Sequence, residues 1–102
     1  MAPHAVFIVS TVYNPIPSDI SAYSTVNNLI NSINSVILEG RLTYGYDIAD
    51  TYAAFENAEL EGVSVTNFNL DPAKGPLNVD IHPNATGHAI IAQLHLDAIN
   101  GL

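Results

Sequence analysis

The residues best suited to chemistry lie together near the end of the sequence. Residues 80–88 read Asp-Ile-His-Pro-Asn-Ala-Thr-Gly-His, directly ahead of a predicted helix. A loop histidine suits general-base catalysis, because an unperturbed imidazole changes charge close to neutral pH. A carboxylate two residues away can fix the tautomer of the ring and stabilise the imidazolium that forms. The cluster therefore makes His82 a candidate base and Asp80 its orienting acid.

An isolated Asp-x-His carries little information, but the residues around this pair extend the pattern. The block Asp80-x-His82-Pro83-Asn84-x-x-Gly87-His88 is followed by Ile-Ile-Ala. This block resembles the C-terminal block of the SGNH, or GDSL-type, hydrolases. The apolar run that ends in Ser-Thr-Val-Tyr-Asn-Pro at 10–15 and the Asp-Ile-Ala-Asp at 47–50 are similar to the late strands of that fold. The resemblance covers nearly the whole chain, and the His-Pro-Asn block is its specific part.

The resemblance implies a fold, an activity and a site. The fold would be α/β, a three-layer, flavodoxin-like arrangement around a small parallel sheet. The activity would be that of an esterase or lipase acting on small, short-chain acyl esters through a Ser-His-Asp triad. In that triad His82 would be the base and Asp80 the acid. Such hydrolysis needs no metal and no organic cofactor.

The chain departs from the family pattern at two points. The commoner spacing is Asp-x-x-His, and Val79 occupies that place while Asp80 lies one residue closer to His82. The Gly-Asp-Ser-Leu-like block that carries the nucleophile serine, and the blocks that carry the oxyanion-hole Gly and Asn, do not occur in residues 1–102. The chain therefore resembles the C-terminal half of such a domain. Ser10, at the end of a predicted strand, is a candidate substitute nucleophile, but we favour ordinary strand-end hydrogen bonding as its role.

The first half of the chain predicts a strand, a helix and a second strand. Residues 5–10 form a short apolar run that predicts a strand buried on both faces. Apolar residues then recur every three or four positions, which predicts an amphipathic helix over residues 21–39 closed by Gly40, with Asn27, Asn28, Asn31 and Asn34 on its polar face. Residues 44–50 predict the second strand, and this order implies a parallel crossover.

The second half predicts a surface excursion and a final helix. Residues 51–76 are less regular, with one helical turn at 52–59, an alternating stretch around 63–65 and a turn-rich segment at 71–76. Residues 85–100 predict a helix that Asn84 or Thr86 caps and Gly101 ends. We therefore expect a parallel sheet of two to three strands flanked by the two main helices.

Composition excludes several partners. Apolar residues make up 48% of the chain, which is typical of a globular domain with a core. Two basic residues, Arg41 and Lys74, face ten acidic ones, and the net charge of −8 argues against nucleic acid and anionic membranes. We expect a soluble chain without an export signal, and the lack of cysteine leaves its compartment open. His88 and His95 lie about 10 Å apart along a helix, too far to share a metal.

Two functions from different classes remain. One is a carboxylic-ester hydrolase whose site is completed by another segment or subunit. The other is a catalytically silent unit with a structural or binding role. In both cases the apolar strand at 6–9 lacks neighbours that would cover it, so we expect the chain to form homo-oligomers through an exposed sheet edge.

Overall fold

A computed structural model describes residues 7–101 of the chain. Its elements are β1 (Ile8–Ser10), α1 (Ala22–Tyr44), β2 (Asp47–Ala49), α2 (Thr51–Leu60) and α3 (Ala85–Asn100), with a 3-10 turn at Pro72–Lys74 between the last two helices. The architecture is mixed α/β with a small parallel sheet, as the sequence predicts. None of the helices within residues 7–101 combines the length and the apolar character needed to cross a membrane.

The sheet consists of β1 and β2 paired in parallel. Ile8 lies opposite Asp47, and Ser10 lies opposite Ala49. The predicted strand began at residue 5, but residues 5 and 6 lie outside the described part of the chain. The prediction that this strand is buried on both faces is wrong for Ile8–Ser10, which are only half-buried. Among residues 7–101 the sheet has these two strands, so each has one edge that no other described strand pairs with.

Helix α1 continues beyond Gly40, where the sequence predicted its end. It runs to Tyr44 and closes at Gly45, which adopts a left-handed φ of 71° and donates its N–H to the Arg41 carbonyl. Gly40 has a packing role instead. A Cβ at this position would overlap the hydroxyl of Tyr46, which donates a hydrogen bond to the Ile37 carbonyl. The glycine thus allows the chain after α1 to fold back along the helix.

The packed face of α1 is rotated from the predicted one. Ile30 is buried, as expected, but so is Asn34, which was predicted to lie on the polar face. Leu29 and Ile33, two of the recurring apolar residues that predict the buried face, are exposed by 64% and 42% respectively. Asn34 is buried because its amide hydrogen-bonds the backbone of Val12 just after β1, as an additional strand would.

Helix α2 has three turns rather than the single turn predicted for residues 52–59. Asp50 caps it by accepting a hydrogen bond from the Ala53 N–H at 3.2 Å. Phe55 and Ala58 are buried on the same side, together with Ala49 of β2. These residues and Ile30 make up the buried apolar core of the described chain.

The segment between α2 and α3 folds back on itself instead of running freely over the surface. Two isolated antiparallel bridges join it, Thr66 to Pro83 and Asn69 to Asn78. The second is closed by two backbone hydrogen bonds of 2.7 and 2.8 Å. The loop before α3 is therefore tied to residues 65–69, and α3 itself has the predicted bounds of 85–100.

Candidate functional site

Asp80 and His82 lie on the returning half of this hairpin-like segment, just before α3. Their local conformation follows from two side chains that each accept a hydrogen bond from the backbone N–H two residues later. Asn78 Oδ1 accepts from the Asp80 N–H at 2.9 Å, and Asp80 Oδ1 accepts from the His82 N–H at 3.0 Å. Short polar side chains favour such turns. The sequence Asn-x-Asp-x-His thus folds into two successive side-chain turns that bring the carboxylate beside the imidazole.

The carboxylate contacts the ring directly. Asp80 Oδ1 lies 2.5 Å from His82 Nδ1. An ionised carboxylate can only accept hydrogen bonds, so Nδ1 must carry the proton that joins the two groups. In a neutral ring, Nε2 then has its lone pair free. The His82 side chain is 81% exposed, so this lone pair is accessible to a group that approaches from outside.

Asp80 is held in its charged form. The backbone N–H of His82, the His82 ring and the side chain of Asn67 lower the pKa of its carboxyl to about 2. The group is therefore ionised at neutral pH. A permanent negative charge beside Nδ1 favours both the tautomer described above and the imidazolium that forms when Nε2 takes up a proton.

Two residues outside the sequence motif hold this loop in place. Asn67 donates from Nδ2 to Asp80 Oδ2 at 3.0 Å, and its backbone N–H donates to the His82 carbonyl at 2.9 Å. The hydroxyl of Tyr13 donates to the Ile81 carbonyl at 3.0 Å. The ring of Tyr13 packs against Phe55 with 4.9 Å between centroids. Burial and the nearby Asp80 charge raise the pKa of Tyr13, which keeps its hydroxyl a donor.

The remainder of the motif anchors the loop to α3. Asn84 caps the helix by accepting from the Gly87 N–H at 2.9 Å, and its Nδ2 donates to the Ser64 and Thr66 carbonyls. Asn84, not Thr86, is therefore the cap. Gly87 is buried, and a Cβ there would overlap the Val65 carbonyl oxygen and press on Pro83 and Phe55. Pro83, Asn84 and Gly87 thus have structural roles that support the position of His82.

Ser10 makes its hydrogen bonds elsewhere. Its hydroxyl donates to the Thr11 carbonyl at 3.0 Å and lies 2.7 Å from Thr51 Oγ1. Because a serine has a single proton, the Thr51 hydroxyl must be the donor in the second contact. These are the strand-end hydrogen bonds of the alternative interpretation. Within residues 7–101, no hydrogen bond joins a hydroxyl to the ring of His82.

The two histidines of α3 are not part of the Asp80–His82 arrangement. His88 is exposed on α3, and His95 Nδ1 lies 2.8 Å from the Ile91 carbonyl of the same helix. In the described part of the chain, no three His, Asp or Glu side chains come together in a way that could hold a metal ion.

One depression in the surface is separate from the Asp80–His82 pair. It is an open groove of about 740 Å³ between the segment after β1, helix α2 and residues 62–76. Asn67 lines this groove, but neither Asp80 nor His82 does. The groove has no reacting group of the predicted site on its wall, so we do not assign it to that site.

Comparison of the chain with protein-family models, with curated proteins and with solved structures finds no match. What the site can do chemically therefore follows from its own geometry. An exposed imidazole with Nδ1 held by a carboxylate can accept a proton at Nε2 and later return it. Within the described residues, the hydrogen-bond partner of the His82 ring is Asp80, and most of the ring is exposed.

Proposed function

We propose that this chain supplies the general base of an SGNH-type carboxylic-ester hydrolase. His82 is the base and Asp80 its orienting acid. The observation that supports this is the contact between Asp80 Oδ1 and His82 Nδ1 at 2.5 Å, with the other side of the ring exposed. The nucleophile serine comes from another segment or subunit that approaches the exposed ring.

The reaction is acyl transfer in two steps. Nε2 of His82 removes the proton of the serine hydroxyl while the oxygen attacks the ester carbonyl, and backbone N–H groups stabilise the tetrahedral oxyanion. The imidazolium, paired with Asp80, gives the proton to the leaving alkoxide, which departs as an alcohol. Water then attacks the acyl-serine in the same way and releases the acid. Small, short-chain acyl esters are the proposed substrates, and no metal or organic cofactor takes part.

We further propose that the chain forms one part of a three-layer, flavodoxin-like domain. The parallel pairing of β1 and β2 across α1 is the unit from which such sheets are built. The free edges of the sheet would accept additional parallel strands. Exposed side chains on α1, namely Leu29, Ile33 and Val36, would be covered in the larger arrangement.

Hydrolysis of a short-chain p-nitrophenyl ester tests the catalytic role. Free imidazole also attacks such activated esters, so the rate must exceed that of imidazole at four equivalents, matching the four histidines of the chain. We expect His82→Ala to abolish this excess and His88→Ala, which removes another exposed imidazole, to preserve it. Turnover by the chain alone should be slow, because the exposed imidazole of His82 then acts without the nucleophile serine and without an oxyanion donor, whose absence by itself costs roughly two to three orders of magnitude. An unchanged rate in His82→Ala would overturn the proposal.

A second candidate function is a catalytically silent unit that self-associates. The backbones of Phe7 and Thr11 hydrogen-bond β2, so those of Ile8 and Ser10, at the alternate positions, face away from it. This free edge can pair with the same edge of another copy. A homo-oligomer without ester hydrolysis would favour this candidate over the first.

A further inference from the structure

We propose that Asn67 is a positioning residue for the Asp80–His82 pair: it holds the carboxylate in the orientation that presents one oxygen to the imidazole. The catalytic meaning of this inference rests on the proposed function. The hydrogen bonds from which the positioning role is argued do not depend on that function.

Asn67 contacts both members of the pair. Its side-chain Nδ2 donates to Asp80 Oδ2 at 3.0 Å, and its backbone N–H donates to the His82 carbonyl at 2.9 Å. The two oxygens of Asp80 are therefore divided between neighbours. Oδ1 accepts from the backbone and ring of His82, while Oδ2 accepts from Asn67.

This division matters because the terminal torsion of an aspartate is soft and has broad minima. Asp80 is partly exposed, with 39% of its side chain accessible, so packing alone does not fix the carboxylate plane. A donor on Oδ2 limits rotation of the group and keeps Oδ1 directed at Nδ1. Without that donor, water would compete for both oxygens.

A neutral amide is well suited to this position. It stabilises the ionised carboxylate, as its contribution to the low pKa of Asp80 indicates. It does so without a positive charge that would compete with the imidazolium for the same carboxylate. The titratable groups close to Asp80 are His82 on its own loop and Tyr13 from the segment after β1. Asn67 adds no further charge to this set.

The backbone around Asn67 is itself fixed. Thr66 forms a bridge with Pro83, and the Asn84 N–H donates to the Val65 carbonyl at 3.0 Å. The side chain of Asn67 thus starts from a segment that is tied to the loop on which Asp80 lies. A change of side chain at 67 should leave these backbone hydrogen bonds intact.

The test is an NMR measurement on the full chain with Asn67→Ala. Ring nitrogen shifts report which nitrogen of neutral His82 carries the proton, and carboxyl carbon shifts report the pKa of Asp80. We expect the parent to be mainly in the Nδ1–H form. In Asn67→Ala we expect that fraction to fall and the pKa of Asp80 to rise from about 2 towards 3.8. Asn67→Gln, which keeps an amide donor, should restore part of the Nδ1–H fraction of His82 and part of the lowered pKa of Asp80. Asn57→Ala on the exposed surface of α2 is the control.

Each result has one meaning. Unchanged ring tautomer and unchanged Asp80 pKa in Asn67→Ala would overturn the positioning role, whatever the activity. If Asn67→Ala does not fold, Asn67→Asp takes its place. Asn67→Asp keeps the shape of the side chain but replaces the amide donor with a carboxylate acceptor. This variant should therefore raise the pKa of Asp80 further than Asn67→Ala does. If the tautomer shifts while His82→Ala retains full esterase activity, the positioning role stands and the proposed function fails.

Discussion

The side-chain amide of Asn34 forms two hydrogen bonds with the backbone of Val12. Its Oδ1 accepts from the Val12 N–H at 2.7 Å, and its Nδ2 donates to the Val12 carbonyl at 2.9 Å. A residue of a neighbouring strand would satisfy the backbone in the same manner. Helix α1 thus substitutes for a strand at the point where β1 has ended.

Asn34→Ala should therefore destabilise the fold by about 1–3 kcal/mol, because it removes two hydrogen bonds to the Val12 backbone that each contribute roughly 0.5–1.5 kcal/mol. Urea unfolding followed by circular dichroism measures the change. Asn31→Ala, an exposed position on the same helix, is the control and should stay within about 0.5 kcal/mol of the parent. Equal stabilities for the two variants would show that the Asn34 contacts contribute nothing.

Gly87→Ala should lower the melting temperature of the protein. The added methyl group meets the Val65 carbonyl oxygen and the side chains of Pro83 and Phe55, so the start of α3 must shift away from the hairpin-like segment. Overpacking of this kind costs about 1–3 kcal/mol. Gly101→Ala is the matched control, since the nearest atom to its Cβ is the Asp97 carbonyl oxygen at 3.4 Å. A Gly87→Ala variant as stable as the parent would contradict the packing at this site.

The Asp80–His82 contact should contribute to stability in a pH-dependent way. The pKa of Asp80 is about 2 in the folded chain, below its ordinary 3.8. The folded state thus favours the ionised group, and its contribution is fully present above about pH 4 and lost as the pH falls towards 2. Denaturant unfolding of the parent and of Asp80→Asn across pH 2–6 measures this. The stability difference should grow with pH over that window, and a constant difference would disprove the linkage.

Asp80→Asn should also reduce any ester hydrolysis that depends on His82. An amide can donate to Nδ1, which would place the ring proton on Nε2, where the lone pair is needed. We expect a loss of roughly two to four orders of magnitude in kcat if a nucleophile serine is supplied. The assay is the same ester hydrolysis, with Asp97→Asn as a control for removal of one exposed carboxylate. Full activity in Asp80→Asn would exclude a triad-type role.

Self-association through the β1 edge should be sensitive to Ile8→Pro. Proline removes the N–H that faces away from β2, so it blocks an added strand without removing a hydrogen bond between β1 and β2. We expect sedimentation to show an oligomer for the parent and for Ile8→Val, and a monomer for Ile8→Pro. A monomeric parent at micromolar concentration would refute the proposed edge pairing.

Features with local signals could be predicted from the sequence. Asn84 and Gly101 mark the ends of α3, and apolar runs on either side of a long amphipathic segment indicate the parallel crossover. The predicted end of α1 at Gly40 is wrong, because the sequence does not distinguish a glycine that ends a helix from one that makes room for a neighbouring aromatic ring. Only the return of Tyr46 along the helix distinguishes them. The sequence pattern places Asn34 on the polar face, because nothing in the sequence marks the Val12 backbone as its hydrogen-bond partner.

The candidate site shows the same limit. Asp80 and His82 are only two positions apart in sequence, so their pairing could be inferred from spacing. Asn67 lies on the opposite side of the hairpin-like segment, and its role depends on the register between residues 65–69 and 78–84. The alternating residues at 63–65 and the turn-rich stretch at 71–76 were the available signal for that hairpin. Tyr13 comes from a third segment, which its packing on Phe55 and its hydrogen bond to the Ile81 carbonyl bring near.

The parallel pairing of β1 and β2 also bears on the order in which the chain folds. Ile8 and Asp47 are separated in sequence by the 23-residue helix α1 and the turn at Gly45. Closing this connection costs conformational entropy, and the pairing of only three residues between β1 and β2 offsets that cost once the strands have met. The hairpin-like segment and the cap of α3, by contrast, join residues at most 20 positions apart. We therefore expect the Asp80–His82 loop to acquire its geometry early, while the sheet assembles late and opens first in amide hydrogen exchange.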